Sequence, residues 1–201
     1  MKQVAEGELA RKAIHYSSTL IPLAYYFVLN RAIMLWATGL LFLFFLMAEI
    51  VRLRYPRFYK LYLKVFGWMI RTHEKKDHLT GATYVFLGAF LSIFFFSKEV
   101  AVIVLFYLTV GDPTACLAGL SIGKTKLPGT EKTVEGSLAF ILAGLLATFW
   151  VPGVGLGVKI AGVLLAALIE YLPFKSFDDN LMIPLITGTV MMIILNNMIH
   201  I

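Results

Sequence analysis

Long apolar segments constrain this chain more than any other feature. Crossing the hydrocarbon core of a bilayer takes about 20 mainly apolar residues, with a range of roughly 17–25. Seven segments meet this requirement, at about 13–30, 32–51, 79–96, 99–122, 134–151, 156–172 and 181–199. The chain is 59% apolar and 15% charged, whereas soluble domains are roughly 45–50% apolar and about 25% charged. We therefore predict an all-α integral membrane protein, a bundle of about seven transmembrane helices.

The basic residues predict how this bundle is oriented. If the N-terminus is inside, 15 of the 18 Lys and Arg residues face the cytoplasm, and only Arg31, Lys98 and Lys159 face outward. An excess of Lys and Arg in cytoplasmic loops is the usual topology of membrane proteins. We predict a cytoplasmic N-terminus, and we attribute the net charge of +6 to topology and not to nucleic-acid binding. Residues 1–201 are expected to form a single domain, with Lys159 reaching the lipid headgroups from the end of its span.

The loop at 52–78 has a helical pattern of its own. Arg57, Lys60, Lys64 and Arg71 lie on one helical face, and apolar and aromatic residues occupy much of the remainder. A basic amphipathic helix of this kind lies in the plane of the headgroups. We predict one amphipathic interfacial helix here, serving as a membrane anchor and not as a catalytic element.

Eleven of the twelve acidic residues lie on or near the predicted cytoplasmic side, and Glu99 is the one exception. The sharpest case is Asp112 in the fourth span, between Gly111 and Pro113. Proline removes a backbone donor and disturbs the preceding turn, so carbonyl oxygens are freed beside Asp112. An exposed carboxylate beside such oxygens suits magnesium. The sequence therefore predicts a magnesium ligand at Asp112.

A basic, glycine-rich loop follows the fourth span and leads into the fifth. Helix N-termini offer free backbone N–H groups, and glycines let a phosphate approach them. Thr133 is a candidate N-cap, with Glu135 in the first turn of the helix. Helix packing is the alternative explanation for the glycines, because small residues also let two helices approach closely. Together with Asp112, the loop predicts a site for a polyphosphate and a metal.

A third cluster surrounds the start of the last span. Glu170 precedes it, and Asp178, Asp179 and Asn180 open it. Capping of the helix accounts for one of these polar residues. The others remain available for metal binding or for proton abstraction.

The clusters together resemble the polyprenol kinase family, which comprises dolichol kinases, phytol kinases and CTP-dependent diacylglycerol kinases. The stretch GDPTACLAGLSIGKTKLPGTEKTVEGS is similar to the catalytic signature of that family, and EYLPFKSFDDNLMIPL is similar to its second signature. Two N-terminal stretches, RKAIH and HLTGATYVFLG, resemble less specific family patterns. The resemblance covers most of the chain.

This resemblance implies a membrane enzyme that transfers the terminal phosphate of CTP to a lipid alcohol. The alcohol would be a polyprenol or dolichol, a phytol-type isoprenoid alcohol or diacylglycerol. The positions that match the family, expected to be catalytic, are Asp112, Lys132, Glu135, Glu170, Asp179 and Asn180. The residues that we assign to the nucleotide are Gly119, Gly123, Lys124, Lys126, Lys132, Thr133 and Gly136. We assign Mg²⁺ to Asp112, Glu135 and Asp179, and Asp179 is alternatively the general base for the lipid hydroxyl.

Two other functions stay open at this point. The element KTVEG also resembles phosphatidate cytidylyltransferases, which make a CDP-lipid. Gly129-Thr130 replaces the Ser-Pro usual in those enzymes, and Leu120 replaces an expected Arg; both differences favour a kinase. A small ion-coupled transporter is the second alternative, since acids and broken helices also occur there. We expect a multi-pass protein of the plasma membrane in a prokaryote, or of an endoplasmic-reticulum-type membrane in a eukaryote, with its active site on the cytoplasmic side.

Overall fold

The computed structural model describes residues 2–69, 79–172 and 178–199, and within these ranges every regular element is a helix. Among the described residues, three helices are long and apolar enough to cross a membrane, namely Arg31–Arg54, Lys98–Ile122 and Asp179–Met198. The described part of the chain is therefore all-helical and suited to a membrane, as predicted. The count of about seven spans stays a prediction. Lys175 and the rest of 173–177 lie outside the described residues.

Ten α-helices and one π-helical segment follow each other along the described chain. Their bounds are α1 Lys2–Ser17, α2 Leu20–Phe27, α3 Arg31–Arg54, α4 Pro56–Phe66, α5 Gly81–Phe95, α6 Lys98–Phe106, the π segment Tyr107–Gly111, α7 Asp112–Ile122, α8 Val134–Thr148, α9 Leu156–Tyr171 and α10 Asp179–Ile199. The first predicted span, 13–30, is divided between α1 and α2. The fourth, 99–122, corresponds to α6, the π segment and α7 in one continuous helix.

The centre of the fold is α6. Every residue from Val100 to Phe106 is at most 4% exposed, as expected for a helix that is apolar all round. Helices α2, α5, α8 and α10 pack around it. In contrast, α3 lies at the periphery and packs mainly on α5, so most of its apolar surface faces outward. Because α7 continues from α6, Asp112 belongs to the same continuous helix as these deeply buried residues.

Helix caps set the positions of two acidic residues. The Thr133 hydroxyl accepts a hydrogen bond from the Gly136 N–H at 3.1 Å, which confirms the predicted N-cap and leaves Glu135 in the first turn of α8. At the start of α10, Asp178 Oδ1 accepts from the Asn180 N–H at 2.9 Å. A side-chain acceptor satisfies an N–H group that has no partner within the helix. Asp178 therefore has the capping role, and Asp179 follows it in the first turn.

The predicted amphipathic helix is present as α4. All eleven residues of α4 are described and none is buried. Its three basic residues are exposed, and so are Phe58, Leu61, Val65 and Phe66. Beyond α4 the chain packs against α1, where Arg11 Nη1 donates to the Met69 carbonyl at 3.0 Å. A Cβ atom at Gly7 would lie 2.3 Å from the Trp68 carbonyl oxygen. The position of α4 in the headgroup plane stays a prediction, and Arg71 lies outside the described residues.

The prediction for Lys159 was wrong. Its side chain is buried, at 3% exposure, instead of extending to the headgroups. Its Nζ donates to the carbonyls of Phe149 and Val151, at 3.1 and 2.6 Å. Carbonyls at a helix C-terminus have no partner within the helix. Lys159 therefore stabilises the end of α8.

Candidate active site

One polar pocket brings the three sequence clusters together. Its volume is about 220 Å³, and its walls come from α1, α7, α8, α9, α10 and the loop before α8. The predicted site residues that line it are Asp112, Gly119, Lys132, Thr133, Gly136, Glu170 and Asp179. Convergence of these helix ends therefore creates a concave site.

Asp112 is the most enclosed charged group of the pocket. Its carboxylate is buried, with Lys12 Nζ 2.6 Å and His15 Nδ1 3.0 Å from Oδ2. The prediction of an exposed carboxylate was therefore wrong, because α1 packs over this position. The turn before Asp112 is the π segment Tyr107–Gly111, a type of distortion that is frequent at functional sites.

The sequence reasoning assigned no site role to Lys12 or His15. They lie three residues apart on α1, so they share a helical face and reach the same carboxylate. Tyr16 helps to hold α1 in place through a 2.7 Å hydrogen bond between its hydroxyl and that of Thr114 on α7. The stretch RKAIH contained a signal for these residues. What it did not indicate was their partner, since Lys12 and Asp112 are 100 residues apart.

Lys12 precedes the first predicted span, and two opposing effects act on its pKa. Burial lowers the pKa, because it disfavours the charged ammonium group. The Asp112 carboxylate raises it through charge attraction and a hydrogen bond, and the net pKa lies above its ordinary value. Lys12 therefore stays a cation at neutral pH.

A second ion pair joins two clusters that the sequence predicted separately. Lys132 Nζ lies 2.8 Å from Glu170 Oε1 and also contacts the main-chain oxygen of Glu170. The Glu170 side chain is 9% exposed, and that of Lys132 is 36% exposed. Tyr171 donates from its hydroxyl to the Pro128 carbonyl at 3.0 Å. The end of α9 is thus joined to the loop before α8 at two points.

The loop before α8 is a short hairpin over residues 125–134. Leu127 N–H donates to the Lys132 carbonyl at 2.8 Å, and Val134 N–H donates to the Thr125 carbonyl at 2.9 Å. Gly129 lies at its tip with φ of +74°, a backbone conformation that residues other than glycine rarely adopt. The hairpin aims Lys132 into the pocket.

Two predicted nucleotide-binding lysines lie elsewhere on this loop. Lys124 and Lys126 are exposed, and Lys126 forms an ion pair with Glu131 across the hairpin. Among the described residues, the lining of the pocket includes neither lysine. Lys124 and Lys126 therefore lie outside the described lining of the pocket.

Glu135 and Asn180 are also separate from the pocket wall as the structure describes it. Both carboxylate oxygens of Glu135 accept from the Thr125 N–H, at 3.2 and 3.3 Å. The Asn180 side chain donates to Asp178 Oδ1 at 2.6 Å, and a Cβ at Gly88 would lie 2.7 Å from the Asn180 carbonyl. These contacts stabilise the first turns of α8 and α10 beside the pocket.

The predicted nucleotide-binding glycines lie where α7 meets α8. A Cβ at Gly136 would come within 2.9 Å of the Ala115 carbonyl oxygen, and one at Gly123 within 2.8 Å of the Thr133 side chain. At Gly119 the nearest atom is Thr133 Oγ1, at 3.2 Å. Close packing of two helices therefore requires small residues here, and Gly119 and Gly136 in addition line the pocket.

The pocket has the donor atoms that magnesium prefers, because Asp112, Glu170 and Asp179 all present carboxylates to it. Two of these carboxylates are paired with lysines in this structure. Across the described ranges, no three His, Cys, Asp or Glu side chains lie close enough together to hold a metal ion. The residues therefore fit magnesium by their chemistry, once the lysines are displaced.

Fold and pocket together define a helical membrane protein with a small, strongly charged site at the ends of its helices. No protein-family model matches the chain, and no solved structure matches it significantly. Several curated proteins do. The CTP-dependent diacylglycerol kinase 1 of Saccharomyces cerevisiae is 28% identical over 94% of this chain and 73% of its own length. An uncharacterized protein of Rickettsia prowazekii is 30% identical over 89% of this chain and 90% of its own length.

A plant protein extends the same relationship. The probable phytol kinase 2 of rice, a chloroplastic protein, is 29% identical over 58% of this chain and 44% of its own length. These relatives confirm the resemblance to the polyprenol kinase family that the two C-terminal signatures indicated.

Proposed function

We propose that this protein is a CTP-dependent kinase that transfers the terminal phosphate of CTP to the hydroxyl group of a membrane lipid. The observation that carries the proposal is the pocket in which Lys12 and Lys132 meet the carboxylates of three helices. The names of the relatives support CTP as the donor and a lipid as the acceptor. Diacylglycerol, a phytol-type alcohol and a polyprenol such as dolichol are the candidate acceptors.

Phosphoryl transfer requires positioning of the reactants and neutralisation of charge on the phosphate oxygens. We assign the phosphates to Lys12 and Lys132, with the N-terminus of α8 at Thr133 beside them. Pockets that enclose a drug-sized ligand have volumes of about 300–1,000 Å³, and this pocket has about 220 Å³. The phosphates would therefore enter it, and the nucleoside would remain outside, along the hairpin and its exposed lysines, Lys124 and Lys126.

The remaining carboxylates have two roles in this proposal. Asp179 lines the pocket from the first turn of α10, so we assign it to accept the proton of the lipid hydroxyl or to bind magnesium. Asp112 and Asp179 would hold magnesium from within the pocket, and Glu135 would join them if the first turn of α8 moves inward. Bound magnesium would neutralise charge on the phosphates.

We further propose about seven spans, with the N-terminus and the pocket on the cytoplasmic side. Two further apolar helices, Gly81–Phe95 and Val134–Thr148, support crossings beyond the three long ones. At the opposite end of the bundle, Trp150 stacks on Phe27 at 5.4 Å and contacts Tyr26 edge-on at 4.9 Å. Aromatic clusters of this kind are enriched at membrane interfaces. The lipid tail would stay in the bilayer, with its hydroxyl at the inner interface.

The position of an isotopic label tests this function. Purified protein in detergent is given magnesium, a candidate lipid alcohol and CTP labelled in the γ- or the α-phosphate, with the Asp112→Asn variant as a blank. Label from the γ position should enter the organic phase, and label from the α position should stay in water. If α-label enters the lipid, the enzyme is a cytidylyltransferase. If no tested lipid takes up either label, the kinase proposal is contradicted.

A further inference from the structure

The charges of the pocket do not suit a polyanion by itself. Its lining contains two lysines and five carboxylates among the described residues. The carboxylates are Glu8, Asp112, Glu131, Glu170 and Asp179. Two of them are paired with cations outside the lining, Glu8 with Arg11 and Glu131 with Lys126. The other three share Lys12 and Lys132, so the interior of the site carries more acid than base.

Both pocket lysines are already occupied by carboxylates. Lys12 is bound to Asp112 and Lys132 to Glu170, while Asp179 interacts electrostatically with both Lys12 and Glu170. A triphosphate that took the lysines would leave Glu170 buried without its lysine and Asp112 with His15 as its remaining partner. A divalent cation that took the carboxylates would leave Lys12 buried without one. Either ligand alone therefore strands buried charge, which is strongly unfavourable.

We propose that the two ion pairs occupy the site in place of its ligands, so that triphosphate and divalent cation bind together and each weakly alone. On joint binding the phosphates replace the carboxylates on Lys12 and Lys132. The cation, held by Asp112 and Asp179, replaces the lysines as the counter-charge of Asp112 and Glu170. Every charge then keeps an opposite partner. This inference rests on the proposed function, since it takes the triphosphate of CTP as the anion.

The Lys132–Glu170 pair is the better one for a test. The Lys132 side chain is 36% exposed and that of Lys12 is 8% exposed, so replacement of Lys132 disturbs the packed interior less. Lys132→Met frees the Glu170 carboxylate for a cation, and Glu170→Gln frees Lys132 for a phosphate. The double variant frees neither group. Lys124→Met is the matched control, because it removes the same charge beside the same hairpin without altering a pocket pair.

Two binding measurements on the purified full chain, without lipid, test whether the Lys132–Glu170 pair competes with the ligands. Mn²⁺ binding is followed by the electron paramagnetic resonance signal of the free ion, and binding of labelled CTP in EDTA by equilibrium dialysis. We expect Lys132→Met to bind Mn²⁺ roughly tenfold more tightly than the native chain, in the range usual for coupled sites. We expect Glu170→Gln to bind CTP in EDTA more tightly by a similar factor. The double variant should show neither gain, and Lys124→Met, the control for the Mn²⁺ measurement, should bind Mn²⁺ no more tightly than the native chain.

Two results would overturn the proposed exchange of ion-pair partners. Unchanged or weaker Mn²⁺ binding by Lys132→Met would mean that its ammonium group does not compete with the cation. An equal gain in Lys124→Met would assign the effect to net charge and not to the pair. Because lipid and label transfer have no part in these measurements, γ-phosphate transfer could still be found in either case. Absence of such transfer, with the binding gains present, would instead contradict the kinase.

Discussion

At the scale of single residues, the surroundings of Asp112 decide how the site is interpreted. From the sequence it was an acid beside a proline, open to a metal. In the fold it is buried beneath α1, with Lys12 and His15 on the same oxygen. A buried carboxylate that keeps a lysine charged contributes to folding as well as to the site. This separates Asp112 from Glu135, whose carboxylate accepts from the Thr125 N–H of the hairpin.

Asp112→Asn should therefore lose both activity and stability. The change keeps the size of the side chain but leaves the ammonium group of Lys12 without its counter-charge. Removal of one partner of a buried ion pair costs about 3–5 kcal/mol. We expect no measurable transfer and a clearly lower unfolding temperature in detergent, followed by tryptophan fluorescence. Glu135→Gln should keep the native unfolding temperature, and equal destabilisation by both changes would contradict the assigned burial.

The neighbours Asp178 and Asp179 should respond differently to the same change. Asp178→Asn keeps a capping oxygen for the Asn180 N–H, and Asn caps helices about as well as Asp. Asp179→Asn removes the carboxylate that lines the pocket. We expect activity within a few-fold of native for the first and loss of activity for the second, in the γ-label assay. Similar losses in the two variants would leave the choice of Asp179 unsupported.

At the scale of elements, the packing of α1 against the segment after α4 connects the membrane surface to the site. Helix α1 carries Lys12 and His15, and it is held from one side by Thr114 of α7 and from the other by Trp68 and Met69. The exposed basic and apolar residues of α4 suit the headgroup region. The segment after α4 thus contacts the helix that carries Lys12 and His15, the partners of Asp112.

Gly7→Ala tests this connection. The added Cβ would lie 2.3 Å from the Trp68 carbonyl oxygen, so the backbone must move. Overpacking of this kind costs roughly 1–3 kcal/mol, and we expect a lower unfolding temperature together with reduced activity. Gly157→Ala on α9 is the control, since nothing lies within 4 Å of its added Cβ. A native unfolding temperature and native activity of Gly7→Ala would mean that the segment after α4 can move away without affecting α1.

At the scale of the whole molecule, the one-sided distribution of Lys and Arg predicts the orientation of the bundle. The pocket, the hairpin and α4 lie at loops that the charge distribution assigns to the cytoplasm. The aromatic cluster around Trp150 marks the opposite end. A cytoplasmic nucleotide and a membrane lipid can meet only if the pocket opens on the cytoplasmic side.

Thiol labelling of intact vesicles of known orientation checks this orientation. The native Cys116 is first replaced by serine, and single cysteines are introduced as Lys126→Cys on the hairpin and Pro152→Cys in the loop after α8. Both positions are exposed. An impermeant reagent applied from outside should label Pro152→Cys, and it should label Lys126→Cys only after permeabilisation. Labelling of Lys126→Cys from outside would contradict the proposed topology and place the hairpin away from cytoplasmic CTP.

Local features of the chain were predictable because neighbouring residues determine them. The length of the apolar segments predicted membrane helices, and the spacing of the basic residues on one helical face predicted α4. The caps at Thr133 and Asp178 followed from the preference of short polar side chains for helix starts. The family signatures indicated the acids and lysines of the site without showing which of them touch.

Only the tertiary structure decided the partners of those charges. Lys12 and Asp112 are 100 residues apart and Lys132 and Glu170 are 38 apart, so neither pair follows from spacing along one helix. The same holds for Lys159, whose buried contact with the end of α8 replaced the predicted position at the headgroups. The sequence by itself determined that the chain has helices suited to a membrane, because burial in lipid depends on composition over about 20 residues. Which charges are buried, and beside what, depends on how the helices pack, because burial and pairing there involve contacts between distant segments.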